Sequence, residues 1–131
     1  MISRTVTAVL DAPAEEVFGF LAEVENLPVW ATEFARTLRL EDGRAWVTNG
    51  LGEFLVRYAA DPASGVIDIY AGPGEDALAL FPTRVVALGP SGCAYSFTMF
   101  HPPGMPDELF AAQHASLERE FANIEARFAS P

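Results

Sequence analysis

Lysine is absent from this sequence of 131 residues, and its eight basic side chains are all arginines. The absence excludes Schiff-base chemistry and any other mechanism that needs a catalytic lysine. It also means that a cation facing the interior is a permanent guanidinium, which suits a carboxylate or phenolate ligand.

Cysteine and long apolar runs are also scarce. The single cysteine, Cys93, allows no intrachain disulfide and indicates no oxidising compartment. Residues 1–7 form no apolar run of signal-peptide length, and no later segment approaches the ~20 residues of a membrane span. We therefore expect a cytoplasmic protein without membrane insertion.

Negative charge predominates, with a formal net charge of −10. Such a chain repels nucleic acid and anionic lipid surfaces unless a basic patch compensates. The arginines are scattered, and no run of them makes a patch. We therefore expect no nucleic-acid partner.

Half of the residues are hydrophobic, and ten are phenylalanine. A chain of this length and composition can bury a large core, so we expect one domain spanning residues 1–131. The many phenylalanines suit either a core packed by large rings or a pocket lined by them.

The first part of the chain predicts one strand and two short helices. Residues 2–10 alternate and are rich in β-branched side chains, which is typical of a strand. Asp11 is a good N-cap for a helix that runs to about Val24. Residues 26–28, Asn-Leu-Pro, break this helix, and residues 29–34 form a second short one.

Turn signals then divide the chain into six further strands. Asp-Gly at residues 42–43 is a hairpin signal, and turns rich in Gly and Pro separate the later segments. The predicted strands are residues 37–40, 44–48, 53–60, 66–71, 78–88 and 93–101. Strands this short and regularly spaced indicate an antiparallel meander.

Residues 105–130 predict one long amphipathic helix. Its apolar stripe advances in steps of four and three residues, the spacing of one helix face: Phe110, His114, Leu117, Phe121, Ile124 and Phe128. The opposite positions are polar or small: Ala112, Ser116, Arg119, Glu120, Asn123 and Arg127. A stripe this aromatic must be covered, so we expect the helix to close over the sheet with a pocket between them.

Four segments resemble one known superfamily. Residues 10–18 (LDAPAEEVF) resemble its strand-to-helix junction, and residues 25–30 (ENLPVW) resemble its second-helix signature, with Trp30 near the pocket mouth. Residues 82–86 (PTRVV) and 100–105 (FHPPGM) resemble late-strand and pre-helix segments of its small bacterial members. With the order of elements, they resemble the helix-grip fold of the START/Bet v 1-like (SRPBCC) superfamily, in particular members labelled polyketide cyclase/dehydrase-like.

The resemblance implies an α+β fold, in which a seven-stranded antiparallel sheet wraps around a long C-terminal helix and two short helices follow strand 1. It also implies a hydrophobic cavity beneath the last helix. It does not define a function, because the superfamily includes lipid and hormone carriers as well as aromatic cyclases.

The candidate ligand-binding residues are mostly ring-bearing side chains expected to face this cavity. They are Trp30, Phe34, Phe54, Tyr58, Arg84, Tyr95, Phe97, His101, Phe110, His114, Leu117 and Phe121. Pro82 can introduce a bulge that turns Arg84 inward, where it would anchor an anionic group. For the rings, simple core packing is the alternative.

Three residues are candidates for acid/base chemistry. His114, on the stripe of the last helix, is either a general base or a hydrogen-bonded core histidine. Asp68 and Tyr70 share one strand face and form a proton-transfer pair if that face lines the cavity. Alternation favours Ile67 and Ile69 inside, which would leave that pair on the surface.

Only two histidines, His101 and His114, are present, and their 13-residue separation matches no local metal-binding motif. We therefore expect no metal and no cofactor. His101, at the end of the last strand, is either part of the ligand site or a solvated residue beside a loop.

These features predict a protein that binds a small hydrophobic or aromatic molecule in an internal cavity. The expected access route lies between the Trp30 region, the hairpin turns and the start of the last helix. One alternative is an enzyme of the cyclase or dehydratase type with acid/base residues in the cavity. Another is a protein-interaction domain whose cavity has collapsed. The oligomeric state stays open.

Overall fold

We describe residues 1–129 of the protein from a computed structural model. The strand β1 (Ser3–Leu10) is followed by the helices α1 (Ala14–Leu21) and α2 (Leu27–Trp30), and the last element is the long helix α3 (Asp107–Arg127). Six strands lie between them: β2 (Thr37–Glu41), β3 (Arg44–Asn49), β4 (Gly52–Asp61), β5 (Val66–Gly72), β6 (Ala79–Ala87) and β7 (Cys93–Phe100). Short 3-10 turns, Val24–Asn26 and Glu75–Ala77, precede α2 and β6.

The strands form one antiparallel sheet of seven, in the order β1-β7-β6-β5-β4-β3-β2. The first strand pairs with the last along its whole length, from Ser3 opposite Phe100 to Leu10 opposite Cys93. The predicted architecture, a seven-stranded antiparallel sheet with a long C-terminal helix and two short helices after strand 1, is confirmed. No helix in the described range is both long and apolar enough to cross a membrane.

The first helix differs from the predicted one at both ends. The predicted N-cap, Asp11, is wrong, because Pro13 occupies that position and no side chain caps the helix. Proline suits the place, since its missing N–H would have no partner there. The helix also ends at Leu21 rather than near Val24, which belongs to the 3-10 turn that follows.

The second helix begins where a break was predicted. Pro28 lies in the first turn of α2, where proline is tolerated, so residues 26–28 lead into the helix instead of interrupting it. The helix ends at Trp30, short of the predicted residue 34, and the N–H of Ala31 donates to the Leu27 carbonyl at 2.7 Å to close the last turn.

One face of the sheet packs against α3. Ile67 and Ile69 in the middle of β5 are buried, as the alternation favoured. Trp30 lies at the centre of the aromatic core, with edge-to-face contacts to Tyr95, Phe97 and Phe121 at ring-centroid distances of 6.3 to 6.4 Å. Rings at these distances and angles attract one another beyond the area they bury. The core is therefore fixed where α2, β7 and α3 meet.

The long helix buries more than one side. The predicted stripe is buried except for His114, which is partly exposed. Glu120, assigned to the opposite face, is only 3% exposed, so that assignment is wrong. The physical reason is that α2 and the segment after it pack against a second side of α3, where Asn123 donates to the Trp30 carbonyl at 3.0 Å. The predicted end of this helix, Ser130, lies outside the described residues.

Candidate functional site

A cavity of about 510 Å³ lies between the inner face of the sheet, α2 and the first half of α3. Its lining is mostly apolar. The sheet contributes Ile69, Ala71, Phe81, Phe97 and Met99; the α2 region contributes Leu27, Trp30, Ala31 and Phe34; α3 contributes Leu109, Ala112 and Leu117. A volume of this size is in the usual range for small-molecule sites.

Among the described residues, the polar side chains of the lining come from α3 and from the segment between α2 and β4, in which Asn49 is the last residue of β3. They are Glu33, Arg36, Asn49, Gln113, Ser116 and Glu120. The strands of the floor contribute none. The arrangement therefore suits a ligand with an apolar body and one polar end.

The turn between β3 and β4 lies at the mouth. The side chain of Asn49 donates to the Phe34 carbonyl at 2.8 Å and accepts the N–H of Leu51 at 2.8 Å. These bonds hold the turn against the segment after α2. Leu51 lines the cavity and is nevertheless 68% exposed, so it lies at the opening. The opening therefore includes a hairpin turn, as the sequence led us to expect, while the access route between this turn, the Trp30 region and the start of α3 stays a prediction.

Glu120 is the buried carboxylate of the site. Its Oε2 accepts the backbone N–H groups of Glu33 and Phe34 at 3.1 and 3.0 Å. No hydrogen bond to its Oε1 is made by residues 1–129. Burial raises the pKa of Glu120, and the two N–H donors oppose this only in part. A carboxyl of this kind can hold a proton at a higher pH than usual and present it to a ligand.

Glu33, by contrast, is locked in an ion pair. The guanidinium of Arg119 donates to its two oxygens at 2.8 and 2.7 Å, and the hydroxyl of Ser116 adds a bond of 3.0 Å. The hydrogen bond from Arg119 is the main reason why the pKa of Glu33 is lowered to about 2. Both carboxylate oxygens of Glu33 are hydrogen-bonded, and its charge is neutralised by Arg119.

Arg36 supplies the lining's single cation among the described residues. Its guanidinium lies against the mouth turn, with Nη2 and Nη1 at 3.7 and 3.8 Å from the position that a Cβ on Gly50 would occupy. Its backbone N–H donates to the Thr48 carbonyl at 3.1 Å, which ties the residue to the end of β3. A guanidinium at this place faces both the cavity and solvent.

Two phenol groups are buried deeper in the core. Within the part of the chain that the structure describes, neither the Tyr58 nor the Tyr95 hydroxyl has a hydrogen-bond partner. Burial raises the pKa of each phenol; for Tyr58 the neighbouring Tyr95 adds to the rise, and for Tyr95 the nearby Thr83 hydroxyl has a smaller, opposite effect. Buried hydroxyls without partners are unusual in folded proteins.

The predicted ligand-binding residues fall into three groups. Trp30, Phe34, Phe97 and Leu117 line the cavity. Four others are outside its lining. Phe54 packs on Phe34 with ring centroids 6.2 Å apart, Tyr95 and Phe121 belong to the buried core, and the partly buried Tyr58 packs against that core. The third group lies elsewhere: Arg84, His101, Phe110 and His114.

Both histidines lie in a separate groove of about 370 Å³, which Ile2 and Phe110 also line. His101 stacks on Phe110 with ring centroids 4.7 Å apart, and its Nε2 is 2.7 Å from the carbonyl oxygen of Met105. A carbonyl can only accept, so Nε2 is the donor. His114 lies 3.5 Å from Glu118 of its own helix. Neither histidine reaches the main cavity, which leaves the predicted general base outside it.

Asp68, Tyr70 and Arg84 lie on the outer face of the sheet, so a role for them in the cavity does not fit the structure. Alternation along β5 directs Ile67, Ile69 and Ala71 inward and places Asp68 and Tyr70 on the opposite face.

The bulge considered at Pro82 is wrong. The pairing of β5 with β6 stays in register from Ala71 opposite Ala79 to Val66 opposite Arg84. Arg84 therefore keeps its outward phase, and its Nε donates to the Ser64 carbonyl at 3.2 Å.

Glu33, Arg36 and Glu120 are not among the site residues predicted from the sequence. A signal for Glu120 was present, because Ala112, Ser116 and Glu120 follow one another at steps of four beside the apolar stripe. When the sheet covers one side of a helix and another segment covers a second side, a second stripe of this kind becomes buried. Arg36 and Glu33 lie in a loop, where no periodicity indicates direction. Within residues 1–129, no three His, Cys, Asp or Glu side chains are grouped closely enough to hold a metal ion.

No protein-family model matches the sequence, and neither does any curated protein. Solved structures do match it. A START superfamily protein from Mycobacterium smegmatis has a TM-score of 0.69 at 19% identity, over 96% of each chain. The Zhui aromatase/cyclase from Streptomyces sp. R1128 has a TM-score of 0.66 at 22% identity, over 95% of this chain and 90% of that one. Ara h 8.0201 has a TM-score of 0.64 at 19% identity, over 99% of each chain.

At these levels of identity the likeness establishes the fold. The chain has the START/Bet v 1-like helix-grip fold that its sequence resembled. Function has to be argued from the cavity itself, because one fold of this kind can carry many functions.

Proposed function

We propose that the protein binds a small, largely apolar molecule, aromatic or otherwise hydrophobic, with one polar end. The observation that carries this proposal is the cavity of about 510 Å³, whose floor is apolar and whose polar side chains lie on one side. Ligand sites commonly combine an apolar lining with a few placed polar groups that fix orientation.

The neighbours support the proposal at the level of the fold. One is described as a START superfamily protein and another as an aromatase/cyclase, and both share the sheet and the long helix that enclose the cavity here. The volume also argues against a protein-interaction domain with a collapsed cavity. A collapsed core would leave room for roughly one or two waters.

Binding can be tested with the core tryptophan as reporter. Trp46 lies on the other face of the sheet, under the guanidinium of Arg39 at 5.8 Å, so Trp46→Phe leaves Trp30 as the remaining tryptophan. The probe is N-phenyl-1-naphthylamine, a neutral aromatic molecule that fluoresces in apolar surroundings. We expect saturable binding of one probe per chain, with quenching of the Trp30 emission.

A matched pair of helix variants shows where the probe binds. Ala112 and Ala122 are both exposed on α3, and only Ala112 lines the cavity. Ala112→Phe should weaken binding about tenfold, equivalent to ~1.4 kcal/mol, while Ala122→Phe leaves it unchanged. If the probe does not saturate, or if both variants bind like the parent, the proposal is wrong. If the probe binds as expected, native mass spectrometry of the gently purified protein can identify a co-purified molecule and so name the natural ligand.

A second candidate is an enzyme of the cyclase or dehydratase type. The observation that favours it is Glu120, a buried carboxyl with a raised pKa in the cavity lining, which is a common setting for a general acid or base. Dehydration of an aromatic β-hydroxy ketone to the enone is a suitable assay, followed by absorbance. Turnover that disappears in Glu120→Gln, with probe binding kept, would support catalysis. Equal rates with and without the protein would count against it.

A further inference from the structure

Among the described residues, Arg36 is the arginine whose guanidinium has no carboxylate, carbonyl or aromatic ring as a partner. Four of the other seven pair with carboxylates, two donate to backbone carbonyl groups, and one lies over a phenylalanine ring. Within residues 1–129, the Arg36 guanidinium has no ion pair and no hydrogen bond. A guanidinium that has none of these contacts is available to bind an anion from outside the chain.

The position of this cation is the second observation. Arg36 lines the apolar cavity, and its guanidinium lies over Gly50 in the mouth turn. Its five N–H groups are fixed in a planar fork that suits carboxylate, sulfonate or phenolate oxygens. An anion at this place would have solvent on one side and the apolar cavity on the other.

The nearby acids do not oppose an anion strongly. Glu33 feels the charge of Arg36, but both of its oxygens are engaged by Arg119, which makes that pair neutral. Glu120 is buried, and its Oε2 is held by two backbone N–H groups. The mouth therefore carries one positive charge that its own side chains leave free.

We infer that the ligand is an amphipathic anion, whose apolar body fills the cavity and whose negatively charged group binds the Arg36 guanidinium at the mouth. The inference rests on the proposed function and narrows it from hydrophobic molecules in general to hydrophobic acids.

Two fluorescent probes with the same body test it. N-phenyl-1-naphthylamine and 1-anilinonaphthalene-8-sulfonate differ only by one sulfonate. We expect Arg36→Gln to lower the affinity for the sulfonate probe about tenfold, because a charge-assisted contact is lost. The affinity for the neutral probe should stay within about twofold of the parent value, because the cavity is kept. Arg36→Lys keeps the charge but loses the planar fork, so its affinity for the sulfonate probe should lie between those of the parent and Arg36→Gln. Arg84→Gln, on the outer face, is the matched control and should leave both affinities unchanged.

Added salt provides a further readout. The preference of the parent protein for the sulfonate probe should shrink as sodium chloride is raised, because exposed charges are screened. In Arg36→Gln this dependence should be absent.

The outcomes separate the two proposals. If Arg36→Gln leaves the affinity for the sulfonate probe unchanged while both probes bind, the anionic ligand is wrong and the binding function stands. If Arg36→Gln weakens both probes equally, Arg36 supports the mouth structurally and the inference is again wrong. If the parent protein binds neither probe, the binding function itself fails.

Discussion

Oε2 of Glu120 accepts the backbone N–H of Phe34 at 3.0 Å, which joins the middle of α3 to the segment after α2. The carboxylate also accepts the N–H of Glu33, so one side chain satisfies two amide groups that have no other acceptor within residues 1–129. This contact closes one side of the cavity. It also places a buried carboxyl where Arg119 and Glu33 are the charged neighbours that act on it.

Replacing Glu120 should show separately how its buried charge destabilises the native state and how its hydrogen bonds stabilise it. Burial, the main cause, raises the pKa of Glu120, so the native state holds the proton more tightly than the unfolded chain. The stability that this provides is complete below the usual carboxyl range and is lost as the pH rises through the raised pKa. Glu120→Gln keeps an acceptor without the charge, so we expect a higher melting temperature at pH 7, by roughly 2–6 °C, and a smaller gain at pH 4.

Glu120→Ala is the counterpart. It leaves the two amide groups without an acceptor and should cost about 1–3 kcal/mol in the free energy of unfolding, measured by urea denaturation. If the Gln and Ala variants were equally destabilised at pH 7, the raised pKa would not be the dominant property of this carboxyl.

The Glu33–Arg119 pair should show the opposite pH dependence. The Arg119 hydrogen bond lowers the pKa of Glu33 from 4.5 to about 2, so its stabilising effect is present above pH 4.5 and disappears as the pH falls through about 2. In Arg119→Gln the pKa of Glu33 should return toward 4.5, as followed by NMR titration of the side chain. The change in stability at pH 7 should be small, because the Arg119 and Glu33 side chains are 61% and 38% exposed. Arg127→Gln, which changes an arginine lying over Phe20, is the control and should leave the Glu33 titration unaltered.

The sequence was sufficient for the sheet, and the reason is local. Period-two alternation and turn residues act between neighbours in the chain, so Ile67 and Ile69 point inward whatever lies above them. The apolar stripe on α3 was readable in the same way. That residues 1–131 form one domain stays a prediction.

The site was harder to predict, because it depends on packing between distant segments. Glu120 becomes a buried residue only when α2, some 90 positions earlier, covers a second side of α3. His114 belongs to the apolar stripe by spacing, yet the cavity lies further along the sheet and the histidine faces a different groove. Arg36 is in a loop, where composition gives no direction. No periodic pattern in the sequence indicates where these three side chains lie in the folded protein.

The buried phenols give a prediction about hydrogen bonding. Tyr95→Phe removes a hydroxyl without a partner in the described chain, so the free energy of unfolding should stay the same or rise by up to about 1 kcal/mol. Thr83→Val is the matched control, since its hydroxyl donates to the Ile67 carbonyl at 2.6 Å and its loss should cost about 1 kcal/mol. A loss in Tyr95→Phe as large as in the control would mean that the phenol has a partner. A double variant with Tyr58→Phe would then reveal whether the two share it.

The outer face of the sheet should not contribute to binding. Asp68→Asn changes a side chain on the far side of β5 from the cavity, and Tyr70→Phe removes a hydroxyl from the same face. Both variants should bind the neutral naphthylamine probe with an affinity within about twofold of the parent. A loss of tenfold or more in either would show that the outer face takes part in binding.

His101 should act on stability and not on ligand affinity. It makes two contacts that fasten the turn before α3, the stack on Phe110 and the hydrogen bond to Met105. His101→Phe keeps the stack and loses the N–H donor, so we expect a loss of about 1 kcal/mol, and His101→Ala loses both and should cost about 2 kcal/mol or more. Urea denaturation measures the two values, and the neutral probe should bind both variants as it binds the parent because His101 is outside the cavity lining. Equal losses in the two variants would show that the stack contributes nothing, whereas weakened binding at unchanged stability would return His101 to the ligand site.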